Sequence, residues 1–177
     1  MKLVTVAEMR SIEEEANQKG VSYEEMMERA GRGVAEFIQT YYGSNQNPVV
    51  TALVGNGNNG GDALVALEYL AKHGWDVRAF LSKERDDSLI KRVNEVGGKV
   101  TNSTEKKSNE SLKKWLLESQ VVIDGLLGTG FQLPIRDPYQ SIMQQVKQSS
   151  GNFKVVAVDC PSGINCDTGE TADECLF

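Results

Sequence analysis

Hydrophobic and polar residues follow two different patterns along the chain, and the change comes near residue 49. Before that point apolar residues recur every three or four positions, which predicts two amphipathic helices, from about Val6 to Gln18 and from Tyr23 to about Gln39. Thr5 and Ser22 each stand three residues before a glutamate, which is the spacing of a capping box at the start of a helix. The chain is therefore expected to open with two helices.

Two glycines, Gly31 and Gly33, lie inside the second predicted helix. Glycine disfavours a helix interior by ~1 kcal/mol relative to alanine, a cost that makes sense where another backbone packs closely against the helix. We therefore expect a close neighbour of this helix at both positions.

After residue 49 short β-branched apolar runs alternate with amphipathic stretches, which is typical of α/β proteins. The predicted strands are Val49 to Val54, Trp75 to Leu81, Lys99 to Thr101, Val121 to Asp124 and Lys154 to Asp159. The predicted helices between them are Asp62 to Lys72, Asp87 to Val96, Ser111 to Glu118 and Tyr139 to Lys147. Because the runs VVTALV and KVVAVD are apolar throughout, we expect both to be central strands covered on both faces. The pattern predicts one domain, residues 1–177, built on a doubly wound and mostly parallel sheet.

Composition and charge narrow the functional classes. The 177 residues include 19 basic and 25 acidic side chains, and the formal net charge is −6. The basic residues are scattered, so a nucleic-acid-binding face is not expected. No stretch reaches the ~20 apolar residues of a transmembrane helix, and the N-terminus lacks the apolar core of a signal peptide. A cytoplasmic protein without membrane or nucleic-acid partners is predicted.

The histidine and cysteine content excludes several kinds of site. His73 is the only histidine, which rules out metal sites and relays that need two, and we assign it to a helix end. The three cysteines fall in the last 18 residues without C-x-x-C spacing, which indicates a reducing compartment and no disulfide framework. Cys160 is expected to be a small buried side chain at a strand end rather than a nucleophile.

Glycine-rich or polar segments follow three of the predicted strands: GNGNNGGD, GLLGTG and CPSG. Ligands of open parallel sheets bind at the carboxyl ends of the strands, so these segments are the candidate site. Gly55, Gly57 and Gly60 match the dinucleotide-binding pattern G-x-G-x-x-G, but the acidic residue expected at the end of the second strand is missing. Gly61 and Asp62 stand where an ATP-binding P-loop needs Lys and Ser or Thr, which excludes a P-loop.

Oxygen-bearing side chains in these segments predict a cation site. Asn58, Asn59, Asp124 and Ser162 offer hard oxygen ligands, and one carboxylate among neutral oxygens suits a weakly charged ion better than Mg²⁺ or Ca²⁺. The asparagines have an alternative explanation, because amides tolerate the left-handed backbone of glycine-rich turns. Asp62 also has an alternative explanation, since a carboxylate at a helix N-terminus interacts favourably with the helix dipole.

Three motifs occur in a fixed order, GNGNNGGDALVAL, VVIDGLLGTGF and VVAVDCPSGINCDTG, after a segment that opens VTVAEMRSIEEEA. Together they resemble the YjeF N-terminal domain family of NAD(P)H-hydrate epimerases, and the resemblance covers essentially the whole chain. It implies a Rossmann-like three-layer α/β/α fold, commonly dimeric. It also implies interconversion of the R and S epimers of NADHX and NADPHX, the hydrated and damaged forms of the reduced nicotinamide cofactors. Because such domains are often fused to an ADP- or ATP-dependent dehydratase, a functional pairing with that enzyme is expected as well.

The resemblance also implies roles for individual residues. Potassium is expected to be bound by Asn59, Asp124 and Ser162. The substrate is expected to contact three segments, namely Asn58, Asn59, Gly60, Gly61 and Asp62, then Gly128, Thr129, Gly130, Phe131, Gln132, Leu133 and Pro134, and finally Asp159.

The chemistry follows from the substrate that the resemblance implies. The ring nitrogen of the hydrated nicotinamide expels the hydroxyl as water, an iminium cation forms, and water returns to the opposite face. This route needs an acid, carboxylates that stabilise the cation and a closed pocket. We expect Asp159 to be the catalytic acid/base, with a strand-end aspartate that only caps a turn as the alternative.

Two other functions are compatible with this fold. One is a non-catalytic module that binds a nucleotide-like ligand or a protein partner, and the other is an ordinary NAD-dependent dehydrogenase. The presence together of Asn59, Asp62, Asp124, Asp159 and Ser162 argues against the first. The missing ribose-binding acid and the lack of a substrate domain argue against the second.

The last predicted strand bears on assembly. KVVAVD is too apolar for an exposed edge strand, yet 18 residues follow Asp159 to cover it. Either its valines are covered by the opening helices and a partner subunit, or the chain is a C-terminally truncated form. We expect self-association as a homodimer.

Overall fold

The structure, a computed structural model, describes residues 4–43, 46–85, 87–149 and 151–176. The described helices are α1 (Val6–Gln18), α2 (Tyr23–Tyr42), α3 (Asn58–Lys72), α4 (Ser88–Glu95), α5 (Ser108–Glu118) and α6 (Tyr139–Gln148). The described strands are β1 (Val49–Val54), β2 (Asp76–Leu81), β3 (Lys99–Asn102), β4 (Val121–Gly125) and β5 (Lys154–Ala157). The predicted alternation of strands and helices after residue 49 is confirmed.

The five strands form one parallel sheet in the order β3-β2-β1-β4-β5. The chain proceeds outward in one direction from β1 to β3 and in the other from β4 to β5, so the order reverses between β1 and β4. In register, Val54 of β1 pairs with Gly125 of β4, and Asp124 of β4 pairs with Ala157 of β5. The carboxyl ends of β1, β4 and β5 therefore lie side by side, at the point where open α/β sheets bind ligands.

Helices cover both faces of the sheet. Alternate strand residues such as Val50 and Ile123 pack with α2, α3 and α4 in one buried cluster. Leu53, Phe80 and Val122 point the other way and pack with α5 and α6 in a second cluster. This two-sided burial confirms the predicted three-layer α/β/α class.

The first two helices begin where the sequence predicts. The Thr5 hydroxyl accepts from the Glu8 N–H at 3.2 Å and the Glu8 carboxylate accepts from the Thr5 N–H at 2.7 Å, a complete capping box. Ser22 accepts from the Glu25 N–H at 3.1 Å, but the Glu25 carboxylate accepts from Arg29 instead, so that box is half formed.

The expectation for the two glycines of α2 is right for one of them. A Cβ on Gly31 would lie 2.5 Å from the carbonyl oxygen of Asp62 and 2.6 Å from Cβ of Val65, so α3 approaches α2 closely there. A Cβ on Gly33 would meet nothing within 4 Å. The close approach is therefore a property of one turn of α2.

Three predicted elements differ from the structure, and one of them is α5, which begins at Ser108 rather than Ser111. Helix α3 begins at Asn58 rather than Asp62, because the chain turns into the helix directly after Gly57 and the asparagines form its first turn. The run KVVAVD is not a central strand: β5 is the edge of the sheet, ends at Ala157 and leaves Val155 37% exposed. Among the described residues, no further strand covers the outer edge of β5, and the apolar strand is therefore partly exposed.

Two expectations for the cysteines are wrong, the absence of a disulfide and the burial of Cys160 as a thiol. Cys160 is not a buried thiol, because it forms a disulfide with Cys166 across the loop after β5. Cys175 is buried. His73 lies at the C-terminal end of α3, where Nδ1 is 2.7 Å from the carbonyl oxygen of Tyr69, in agreement with its predicted place at a helix end.

Within the described parts of the chain, no helix combines the length and the apolar character needed to cross a membrane.

Candidate functional site

A cleft of about 670 Å³ opens at the carboxyl ends of β1, β4 and β5. Six segments contribute its walls, and these are α1, α2, the turn from β1 into α3, the loop after β4, the start of α6 and the residues directly after β5. The lining residues are Val6, Met9, Arg10, Glu13, Ala30, Asn56, Gly57, Asn58, Asn59, Asp62, Leu126, Leu127, Gly128, Thr129, Gly130, Phe131, Tyr139, Val158 and Asp159. Two of the three predicted segments, GNGNNGGD and GLLGTG, therefore meet at the cleft, whereas CPSG follows Asp159 and does not line it.

The N-N-G-G-D stretch divides between the cleft and the core. Asn58, Asn59 and Asp62 line the cleft, since α3 begins at Asn58 and turns these side chains toward it. Gly60 and Gly61 are buried and face away. A Cβ on Gly60 would lie 2.0 Å from the carbonyl oxygen of Gly55, and one on Gly61 would lie 2.6 Å from Sδ of Met27. These two glycines let α3 pack against its surroundings, and the structure does not place them at the cleft.

The glycine pattern G-x-G-x-x-G has a similar basis. A Cβ on Gly55 would lie 2.0 Å from the carbonyl oxygen of Leu126, so the loops after β1 and β4 touch through their backbones. On the other side, Arg85 in the segment after β2 donates from Nη1 to the Gly55 carbonyl at 2.8 Å. Close backbone packing therefore accounts for Gly55 and Gly60 of the dinucleotide pattern, whereas a Cβ on Gly57 would meet nothing within 4 Å.

The loop after β4 also divides. Gly128, Thr129, Gly130 and Phe131 line the cleft. Gln132, Leu133 and Pro134 line a neighbouring cavity of about 350 Å³ instead, together with Phe131 and Tyr139. The predicted substrate loop thus faces the cleft with its first half only.

Asn59 joins the two loops. Its Nδ2 donates to the carbonyl of Leu127 at 2.9 Å, and a Cβ on Gly128 would lie 3.1 Å from its Cγ. A side chain at Gly128 would therefore press against this amide. Among the residues that the structure describes, none donates a hydrogen bond to the amide oxygen of Asn59.

Asp124 and Ser162 form a buried pair beneath this contact, and both are fully buried. The Ser162 N–H donates to Oδ2 of Asp124 at 2.7 Å and its hydroxyl donates to Oδ1 at 2.5 Å. The Leu127 N–H donates to the Ser162 hydroxyl at 3.0 Å, which connects the pair to the loop that Asn59 touches. The three residues predicted to bind potassium are therefore neighbours in space.

The electrostatics of Asp124 suit a cation. Burial raises the pKa of its carboxyl, and the hydrogen bonds from Ser162 and the Leu126 N–H act in the opposite direction. Among the described residues, no basic side chain forms an ion pair with it. A single buried carboxylate beside amide, carbonyl and hydroxyl oxygens fits a monovalent ion such as K⁺.

The cleft also gathers three carboxylates, those of Glu13, Asp62 and Asp159. Burial, followed by the charges of Asp159 and Glu13, raises the pKa of Asp62 to about 7. Asp159 is exposed and lies two residues after the end of β5. The cleft therefore holds one carboxyl that exchanges a proton near neutral pH beside a solvent-accessible carboxylate.

Sequence reasoning missed the contribution of α1. Val6, Met9, Arg10 and Glu13 line the cleft, and their positions repeat at the spacing of one helix face. Two of these four residues are charged, which distinguishes this face from an ordinary core-facing stripe. That charge on an otherwise apolar face was the available signal.

Comparison with known proteins identifies the family. A family model described as YjeF-related protein N-terminus matches residues 23–176. The NAD(P)H-hydrate epimerase of Elusimicrobium minutum is 33% identical over 177 residues, which cover 96% of this chain and 79% of the relative. The bifunctional NAD(P)H-hydrate repair enzyme Nnr of Thermofilum pendens is 36% identical over 177 residues, which cover 96% of this chain and 33% of the relative. The chain thus spans about a third of the length of the bifunctional relatives it matches.

A solved structure agrees with the sequence matches. The crystal structure of the yeast protein YNL200c (ynu0) has a TM-score of 0.86 to this one at 25% identity, covering 99% of this chain and 77% of the yeast chain. The family match extends over the strands and loops that build the cleft. On this evidence the chain belongs to the family of the YjeF-related protein N-terminus.

Proposed function

We propose that this protein interconverts the R and S epimers of NADHX and NADPHX and so takes part in the repair of hydrated nicotinamide cofactors. The names of the similar proteins, NAD(P)H-hydrate epimerase and NAD(P)H-hydrate repair enzyme, support this activity. The observation that carries it is the pairing of Asp62, whose pKa is raised to about 7, with Asp159 in one cleft. Such a pair can give and take a proton at neutral pH.

The reaction needs a proton to move twice. Asp62 in its protonated form protonates the hydroxyl of the hydrated ring, the C–O bond breaks, and water leaves. The lone pair of the adjacent ring nitrogen forms the C=N bond of an iminium cation, which the carboxylate of Asp159 stabilises. Water then adds to the opposite face, and its proton passes to one of the two carboxylates. The acid/base role expected for Asp159 alone is thus proposed for the pair.

The substrate-binding roles are proposed for the residues that line the cleft. Asn58 and Asn59 and the Gly128–Phe131 segment surround the carboxylate pair. Gly60 and Gly61 act indirectly, by allowing α3 to begin where it does. Gln132, Leu133 and Pro134 face the neighbouring cavity and are proposed to shape the loop.

A potassium ion is proposed for Asn59, Asp124 and Ser162. When bound, the ion supplies positive charge beside the anionic groups of the cleft and of a dinucleotide. The hydrogen bonds of Asp124 and Ser162 hold the loops after β4 and β5 together, which keeps Asp159 close to α3.

Three proposals concern the cellular setting. We propose a homodimer formed through the exposed side of β5, a functional partnership with an ADP- or ATP-dependent dehydratase, and a cytoplasmic location. The bifunctional relatives support the partnership, because their name combines the repair functions in one longer chain. The exposed Val155 at the sheet edge supports the homodimer.

The deciding experiment offers the purified protein each epimer of NADHX separately and follows the other by chromatography. The expected result is the same equilibrium mixture from either side. The Asp159→Asn variant is expected to react ~10²–10⁴-fold more slowly and to melt normally. Asp173→Asn removes the same charge from an exposed position outside the cleft and serves as the matched control.

Other outcomes identify the alternatives. If wild type binds the epimers but leaves each unchanged, the non-catalytic module replaces this proposal. If it binds NAD(H) tightly and transfers a hydride, the dehydrogenase replaces it.

A further inference from the structure

The charges of the cleft are unbalanced. Glu13, Asp62 and Asp159 are acidic, and the whole chain has a formal net charge of −6. Among the described lining residues Arg10 alone is basic. A dinucleotide carries at least two negative charges on its pyrophosphate, so positive charge in the cleft, from Arg10 as well as from the proposed potassium ion, favours its binding.

Arg10 has no structural task that explains its position. Among the described residues its guanidinium makes no ion pair and no hydrogen bond, even though Glu13 and Glu14 follow at the i+3 and i+4 positions of α1. By contrast, Arg29 and Arg32 on α2 each pair with a glutamate four residues away. The guanidinium of Arg10 is exposed in the cleft and has its donors available.

Arg10 also faces a turn with free donors. A Cβ on Gly130 would lie 3.5 Å from Nη2 of Arg10, so the guanidinium lies against the Gly128–Gly130 turn on the opposite wall. Within the described residues, the backbone N–H groups of this turn donate no hydrogen bond. The Val6 N–H donates to Asp167 at 2.9 Å, which anchors the start of α1 and so places Arg10. A guanidinium beside unpaired N–H groups is a characteristic arrangement for a phosphate.

Building on the proposed function, we propose that Arg10 and the Gly128–Gly130 turn bind a phosphate of the dinucleotide substrate and thereby hold its hydrated ring near Asp62 and Asp159. The phosphate has two sources. The pyrophosphate is present in NADHX and NADPHX alike, whereas the 2′-phosphate is present in NADPHX only.

The first test is steady-state kinetics with both substrates. Arg10→Ala raises KM roughly 10- to 100-fold with little change in kcat, since a charge-assisted hydrogen bond to the unreacting part of the substrate is lost. Arg10→Lys restores part of the loss, because lysine keeps the charge without the planar fork. Arg29→Ala, which removes an arginine from outside the cleft, leaves both constants unchanged.

The two sources of phosphate give different results. An equal rise in KM for NADHX and NADPHX assigns Arg10 to the pyrophosphate, and a rise for NADPHX alone assigns it to the 2′-phosphate. An unchanged KM for both substrates in Arg10→Ala overturns the proposal, as does a fall confined to kcat.

A second test does not depend on epimerase activity. In isothermal titration calorimetry, Arg10→Ala binds ADP-ribose more weakly than wild type, whereas adenosine, which has no phosphate, binds both equally. If wild type fails to epimerise NADHX but shows this difference, the proposed function fails and the phosphate role of Arg10 stands. If ADP-ribose binds wild type and Arg10→Ala equally, or binds neither, the role of Arg10 is refuted whatever the activity.

Discussion

Asp62 owes its raised pKa to burial and to its neighbours. An exposed aspartate titrates near pH 4, whereas partial burial and the charges of Asp159 and Glu13 raise the pKa of Asp62 to about 7. The residue is contributed by the second turn of α3, Asp159 follows β5, and Glu13 comes from α1. The carboxyl of Asp62 can therefore exchange a proton near neutral pH only because three segments distant in sequence meet at the cleft.

This shift predicts a pH-dependent stability. Because the folded-state pKa is raised, the folded protein binds a proton that the unfolded chain has released, and stability falls as pH rises from about 4 to 7. Asp62→Asn cannot ionise and escapes this loss. We expect its melting temperature to exceed that of wild type at pH 8, and the difference to shrink toward pH 4. Melting curves that differ equally at both pH values would contradict the assigned pKa.

The same shift predicts the pH profile of the reaction. If protonated Asp62 is the acid, the epimerisation rate falls on the alkaline side of about pH 7. In Asp62→Asn the rate is low throughout and this limb disappears. A wild-type rate that stays level from pH 6 to pH 9 would remove Asp62 from the acid role.

The buried pair Asp124 and Ser162 predicts a dependence on potassium. Asp124→Asn keeps the shape and a hydrogen-bond acceptor but loses the charge that a cation requires. We expect the epimerisation rate of wild type to rise when K⁺ replaces a large organic cation in the assay. The rate of Asp124→Asn is expected to stay the same in both salts. A wild type that is equally active in both salts would exclude the ion.

At the scale of elements, the packing of α2 against α3 positions the cleft. Gly31 lies against the backbone of α3 at the carbonyl of Asp62, so the separation of these helices sets the position of the Asp62 carboxyl. Met27 and Gly61 form a second close contact between the same helices. A change at this contact is expected to affect both stability and activity.

Two glycines of α2 offer a matched test. Gly31→Ala would place Cβ 2.5 Å from the carbonyl oxygen of Asp62, and overpacking of this kind destabilises by ~1–3 kcal/mol. Gly33→Ala meets nothing within 4 Å and is expected to stabilise by up to ~1 kcal/mol through helix propensity. Urea denaturation of both variants measures the difference. Equal effects of the two substitutions would show that α3 does not pack as described.

At the scale of the whole molecule, the edge of the sheet formed by β5 bears exposed apolar side chains. The outer side of β5 and the adjoining face of α2 form an apolar groove of about 580 Å³, which includes Phe37 and Val155. These side chains are 46% and 37% exposed. Exposed apolar edges favour pairing with another chain.

We therefore expect the protein to be a dimer in sedimentation at micromolar concentration. Val155→Lys places a charge on the groove and is expected to shift the protein toward monomer. Leu117→Lys alters an exposed leucine on α5, on the other face of the sheet, and should leave the association unchanged. If wild type sediments as a monomer and also unfolds in a sharp thermal transition, this form of assembly is disproved.

Signals from neighbouring residues in the sequence predicted the order and type of the helices and strands. The bounds of α1 and β1 follow from a capping box and from an apolar run, since both depend on neighbours in sequence. The motifs after β1, β4 and β5 could be assigned to one site in advance, because parallel strands bring their carboxyl ends to the same edge. The sequence by itself thus determined the fold class and two of the loops that line the cleft.

Tertiary structure decided what depends on contacts between distant segments. Only the packing of α1 across the cleft brings Arg10 and Glu13 to the site, and only burial beside Asp159 raises the pKa of Asp62. The edge position of β5 and the pairing of Cys160 with Cys166 were equally inaccessible to pattern reasoning. The physical reason is that periodicity reports which face of an element is apolar, whereas electric fields, sheet edges and cross-links arise from what each face meets.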